Sequence, residues 1–88
     1  MTINRLSPNS QELVLTSGAR ILWSYNEPVA VEDAALVPVY GASVVYASDY
    51  ISKSTTAHIK DWLRSRGAVL AARAVQKDAI LRYTQEAR

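Results

Sequence analysis

Four hydroxyl side chains, the sole histidine and a tryptophan share the segment Ser52-Lys-Ser-Thr-Thr-Ala-His-Ile-Lys-Asp-Trp-Leu63. Read as the opening turns of a helix, it gathers Ser54, Thr55, Thr56 and His58 around an N-terminus. Backbone N–H groups there lack intrahelical partners, and the helix dipole leaves partial positive charge. Two kinds of chemistry fit. The hydroxyls can cap the helix, with Ser52 or Ser54 as the N-cap. Alternatively, they can combine with the imidazole and the N–H groups to cradle a phosphate. Tyr46 and Tyr50 precede the helix and could line a pocket above it, where stacking contributes about 1–3 kcal/mol per base. Arg73, from the basic C-terminal half, supplies a counter-charge. The candidate ligand-binding set is therefore Ser54, Thr55, Thr56, His58, Tyr46, Tyr50 and Arg73, and the expected ligand is a phosphate-bearing small molecule. On the structural alternative, His58 ties the helix to the preceding strand, and the tyrosines are amphipathic sheet residues.

Other chemistries have less support. One histidine and no cysteine do not make an ordinary zinc site, and thiol chemistry is excluded. Ser54, His58 and Asp61 contain the residue types of a nucleophilic triad, but neighbours on one short helix seldom reproduce its geometry. Gly18, Gly41 and Gly67 are isolated, so there is no glycine-rich phosphate loop. No paired acidic motif is present. The expectation is a protein that is not an enzyme, with no catalytic residues, no metal and no cofactor. Duplex-DNA recognition is disfavoured because the helix follows strands and Asp61 interrupts its basic residues.

The elements that must position this segment divide into two regions, strand-rich over 11–50 and helical over 53–86. Glu12–Thr16 and Arg20–Tyr25 read as a hairpin turned at Ser17-Gly18. Leu22 and Ser24 alternate with Ile21, Trp23 and Tyr25, which form the more apolar face, and Trp23 is placed in the core. Val29–Glu32 is a third strand, and Asp33-Ala-Ala a turn. Val37–Tyr40 and Ser43–Ala47 read as another hairpin about Gly41-Ala42, with Pro38 assigning the former to an edge. In the helix, Thr55, Ile59 and Trp62 share a face that Leu63 widens, so Trp62 should anchor it to the sheet. Gly67 suits the left-handed C-terminal position. Ala68–Gln85 reads as a second helix, or as a short extended piece within Val69–Arg73 and a helix beginning after Val75.

These elements predict an α+β fold: a single domain spanning 1–88, with a small antiparallel sheet of four or five strands packed against two C-terminal helices on one face. The other face would be solvated or form a subunit contact, so a homo-oligomer is expected. Apolar residues make up 49% of the chain and charged residues 20%, a globular rather than a disordered balance. Charge is uneven. Residues 1–52 hold two cations and five acids, for −3, whereas residues 53–88 hold eight cations and three acids, for +5. An anionic partner or pairing between subunits would use that asymmetry, although solvated basic helix faces also produce it. No segment approaches the roughly 20 apolar residues of a membrane span, and the N-terminus lacks an apolar signal core; a cytoplasmic protein is expected.

Ile21-Leu-Trp-Ser-Tyr-Asn-Glu-Pro-Val-Ala30, followed by Ser52-x-Ser54-Thr55-x-x-His58-Ile59-x-x-Trp62-Leu63, resembles a family of small uncharacterised bacteriophage proteins. Their pattern is L-x-S-Y-x-x-P-V-A, then a tyrosine-bearing strand, then S-x-T-T-x-x-H-I-x-x-W-L. The likeness covers roughly residues 20–63. The chain departs from it in carrying Ser54 where threonine is usual and in a longer insert around 33–42. The resemblance implies phage or prophage origin and the cytoplasm of an infected host, but no activity. Together with the hydroxyl-histidine segment and the basic half, it leads to an expected function of countering host defence by sequestering a nucleotide-derived signal. The alternatives are a module that inhibits a host effector or nuclease by protein contact, and a nucleic-acid-binding accessory protein.

Overall fold

Six strands make one continuous sheet in the computed structural model, which describes residues 1–86. They are β1 Thr2–Ser7, β2 Ser10–Val14, β3 Arg20–Ser24, β4 Glu27–Glu32, β5 Val44–Ala47 and β6 Arg73–Val75. Spatial order follows chain order, with every junction antiparallel except β5–β6, which is parallel. A 3-10 turn, Ala34–Leu36, leads into the one-turn helix α1, Val37–Tyr40; α2 spans Lys53–Ser65 and α3 spans Lys77–Glu86. The α+β class and the two C-terminal helices agree with the sequence reading, and the sheet is larger than the expected four or five strands. The last two residues of the expected 1–88 domain lie outside the described residues.

Three local differences have physical causes. β1 was not anticipated because its residues are exposed on both faces except for the half-buried Ser7, so no apolar alternation marks it. Pairing with β2, Ile3 opposite Leu13 and Arg5 opposite Gln11, makes it a strand. Val37–Tyr40 is helical, not an edge strand. Proline suits the first turn of a helix as well as a sheet edge, and Pro38 occupies that first turn while Gly41, at φ 74°, ends it. Asp33 caps the preceding turn, its carboxylate accepting from the Ala35 N–H at 3.0 Å. Finally, the stretch after Gly67 begins as a turn and then a short strand, so α3 starts at Lys77, close to the second of the two readings of Ala68–Gln85. Gly67, at φ 65°, closes α2 as expected, with the Ala68 N–H donating to the Leu63 carbonyl at 2.9 Å.

With a register shift between Leu22 and Trp23 that adds Val29 to the same side, strand alternation sends Leu22, Ala30 and Val44 to one face, where Ile59, Trp62 and Leu63 of α2 cover them. It sends Ile21, Val31 and Val45 to the other, beneath Ile80 of α3 and Leu36. The helices therefore lie on opposite faces rather than together on one. The segment β5–α2–β6 is a crossover between parallel strands, which needs a helix laid across a face. With α2 filling that face, the single residue Gln76 between β6 and α3 turns the last helix under the other. Burying a large apolar side chain contributes about 1.5–3 kcal/mol, so both faces gain from being covered.

Coverage is unequal. α2 packs on β3 and β4, and α3 on β4 and β5. On the α2 side, beyond the helix, the sheet is finished by polar residues. The Glu12 carboxylate, only 6% exposed, accepts from Trp62 Nε1–H at 2.8 Å, from Arg20 at 2.8 Å and from Asn4 at 3.2 Å. Arg20 also approaches Glu32 at 3.8 Å, and Arg66 pairs with Glu32 from the end of α2. On the α3 side no such network is present among the described residues, and the surface over β1–β3 stays apolar.

Candidate functional site

The predicted helix start is built as a closed polar corner. Ser52 is the N-cap, its hydroxyl oxygen accepting from the Thr55 N–H at 3.1 Å. The Thr56 N–H donates to the Ser52 carbonyl at 2.9 Å, and the Thr56 hydroxyl donates to the same oxygen at 3.0 Å. A row of hydroxyls continues inward. The Ser52 O–H donates to Thr55 Oγ1 at 3.2 Å, Thr55 Oγ1 lies 3.0 Å from Ser24 Oγ, and Ser24 Oγ lies 2.7 Å from His58 Nδ1. Each hydroxyl has one proton to give. Ser52 donates to Thr55, and the Thr55–Ser24 and Ser24–Nδ1 bonds continue the row. Ser24 and Thr55 are buried, at 2% and 7% exposure. Their hydrogen bonds to one another and to His58 offset the cost of withdrawing them from water.

Around this corner is an open depression of about 460 Å³, lined by Ser24, Tyr25, Tyr50, Ser52, Thr55 and Lys77 among others. The Tyr25 ring lies 5.7 Å from that of His58 at a 42° tilt. Tyr25 and Tyr50 are exposed, and both adopt positive φ, 56° and 53°, a conformation that costs a non-glycine residue roughly 1–2 kcal/mol. Lys77 at the rim pairs with Glu27, and its backbone N–H donates to Asp49 at 2.6 Å. The cation nearest the depression is therefore already neutralised.

The structure brings Thr55, His58 and Tyr50 together and disperses the other candidates. Ser54 is exposed on α2, and Thr56 turns its hydroxyl back to Ser52. Tyr46 is half-buried against the core beneath α2. Arg73 lies on β6 rather than on a helix, opposite Val45, whose side chain belongs to the α3 face. Asp61 is exposed and pairs with Arg64, and the partner of His58 is Ser24. Sequence reasoning missed Ser24 and Tyr25 as site residues. The signal was the Ser-Tyr step inside the first motif, which was used only to place a strand.

A second feature lies on the sheet, where the sequence reading expected a solvated or subunit-contact face but named no residues for it. Beside α3, the uncovered half of the sheet forms an apolar trough of about 690 Å³, floored by Leu13, Ile21 and Trp23 and bordered by Ile3, Leu15 and Thr84. Ile3 is 63% exposed, and Trp23, expected in the core, is only half-buried here. The trough depends on β1, the strand the sequence did not reveal. Its two ends differ in charge: Arg5 adjoins Gln11 and Trp23 at one, Asp33 and Glu86 adjoin Leu15 and Ser17 at the other. Tyr83 donates to Asp33 at 2.6 Å; burial together with this bond pushes the phenol above its ordinary value, so it remains a donor.

A family model for a family of unknown function, DUF8033, matches residues 1–80. The chain belongs to that family. The match takes in the whole sheet, α2 and the start of α3, and so extends beyond the two motifs. No curated protein and no solved structure matches the chain. No helix among the described residues is long and apolar enough to cross a membrane.

Proposed function

We propose that this protein is a non-enzymatic interaction module whose working surface is the apolar trough over β1–β3, and that it acts by contact with another protein. The carrying observation is the inequality of the two faces. The α2 face is finished with a hydrogen-bonded polar network in which only Arg66 Nε, among the described residues, is buried without a partner, whereas half of the α3 face leaves Ile3, Leu13 and Trp23 open to solvent. Contiguous exposed apolar surface of this kind is characteristic of docking sites. The polar corner, by contrast, spends its hydroxyls and the Thr55 and Thr56 N–H groups on internal bonds, which suits a cap. The phage setting comes from the motif resemblance alone; with it, the partner is a host effector or nuclease in the cytoplasm of the infected cell.

A second reading rests on a different observation. Two exposed tyrosines with left-handed backbones flank the corner where His58 Nε2 is the ring nitrogen left for an outside partner. Strained backbone concentrates at ligand sites, and a nucleotide-derived signal could stack on Tyr25 or Tyr50. Affinity capture from host lysate, followed by reconstitution with the purified captured protein, separates the two. The expected result is a stoichiometric complex that Ile3→Glu abolishes and His58→Ala retains, with no thermal shift on adding linear or cyclic nucleotides or ADP-ribose derivatives. A nucleotide-induced shift that His58→Ala removes would establish the second reading in its place.

A further inference from the structure

We propose that the trough receives an amphipathic helix of the partner, lying alongside α3, acidic at the end that meets Arg5 and basic at the end that meets Asp33 and Glu86. This rests on the interaction-module reading and specifies its occupant.

Dimensions come first. Neighbouring strands are about 4.8 Å apart, so β1 and β3 are separated by roughly 10 Å, the width of one helix. α3 already occupies the adjoining positions over β4 and β5. A second helix beside it would complete a layer that the chain leaves half built. Strands of five residues run about 17 Å, which about three helical turns would span. Apolar side chains at i, i+3, i+4 and i+7 would then meet Ile3, Leu13, Leu15 and Trp23.

Charge gives the second argument. Arg5 forms no ion pair among the described residues, and neither do Asp33 or Glu86. Asp33 accepts hydrogen bonds from Tyr83 and Ala35. Among the described residues, the apolar floor thus runs between the guanidinium of Arg5 at one end and the carboxylates of Asp33 and Glu86 at the other. Such an arrangement selects an occupant with complementary ends and fixes its direction.

Other occupants fit less well. A strand added to the free edge of β1 would extend the sheet and leave the trough open, and the register shift between Arg5 and Ser7 shortens that edge. A second copy seated trough to trough would register as dimerisation.

The test uses synthetic helical peptides of about 14 residues with a leucine stripe, titrated into isotope-labelled full-length protein and followed by backbone amide shifts. A peptide with glutamates at one end and lysines at the other should bind saturably, with shifts over Ile3, Leu13, Leu15 and Trp23. A proline in mid-peptide should weaken it by about tenfold or more. Arg5→Glu should turn the preference toward a peptide basic at both ends. Equal binding of the proline peptide, shifts confined to the β1 edge, dimerisation that closes the trough, or no binding would each overturn the helix assignment. If Ile3→Glu still abolishes the natural complex while no helical peptide binds, the inference falls and the module reading stands. If Ile3→Glu leaves the natural complex intact, the module reading itself falls.

Discussion

The polar corner under α2 and the apolar trough beside α3 occupy opposite faces of one sheet and differ in how much of their bonding capacity remains. In the corner, Ser52, Thr55, Ser24 and His58 form an ordered row of hydrogen bonds, and Thr55 and Thr56 give their N–H groups to Ser52. In the trough, Ile3 and Trp23 retain apolar surface that nothing in the fold covers. Residues with the richest chemistry can therefore be those the fold has already used. Surface with binding energy to spare can lie where the sequence is chemically plain.

Substitutions can break this comparison, and the largest effects belong on the α2 face. Trp62→Ala removes a side chain that fills the core and donates to Glu12. It should cost about 3–5 kcal/mol, read by denaturant unfolding, and a cost below 1 kcal/mol would show that α2 is not the principal anchor.

Glu12→Gln comes next. Burial alone would push the Glu12 carboxyl up, but donors on Trp62, Asn4 and Arg20, with the positive charge of Arg20, hold it below the ordinary value. The sign follows. The stabilisation is present above the unfolded-state pKa and is lost as pH falls through the depressed folded-state value. Wild-type stability should drop on acidification below about pH 4. Glu12→Gln should be less stable at pH 7 by about 1–3 kcal/mol and should show a shallower acid limb. Parallel pH profiles for the two proteins would refute the assignment.

Thr55→Val sharpens the comparison further, because it keeps shape and interrupts only the hydroxyl row. The expected loss is about 1–2 kcal/mol in melting experiments. Loss of partner binding without loss of stability would move function into the corner. The smallest stability effect belongs to Ile3→Glu on the other face, within about 0.5 kcal/mol of wild type because the site is exposed. Its effect should appear in complex formation alone.

Much of the fold was legible. The 2-residue alternation of Ile21, Leu22 and Trp23 marked β3, and the spacing of Thr55, Ile59, Trp62 and Leu63 marked the buried stripe of α2. Ser52 and Gly67 marked its ends. Less legible were the segments whose conformation depends on distant partners. Thr2–Ser7 carries no periodic signal because almost every side chain is exposed, and its extended form comes from β2. Val37–Tyr40 reads equally well as edge strand or helical turn, since proline fits both. Of the candidate site, His58 and Thr55 were found from local chemistry. Ser24, thirty-four residues before His58, is joined to it only by packing.

The sequence by itself determined the local rules: where chains turn, which faces are apolar, and how α2 begins and ends. Short-range sterics, capping and side-chain periodicity act within a few residues and can be read in order. Tertiary structure decided which face each helix covers, and therefore what was left uncovered. That outcome depends on a parallel crossover claiming one face for α2 and a one-residue link turning α3 to the other. The trough is the remainder of that competition for sheet surface, and no single segment of the chain encodes it.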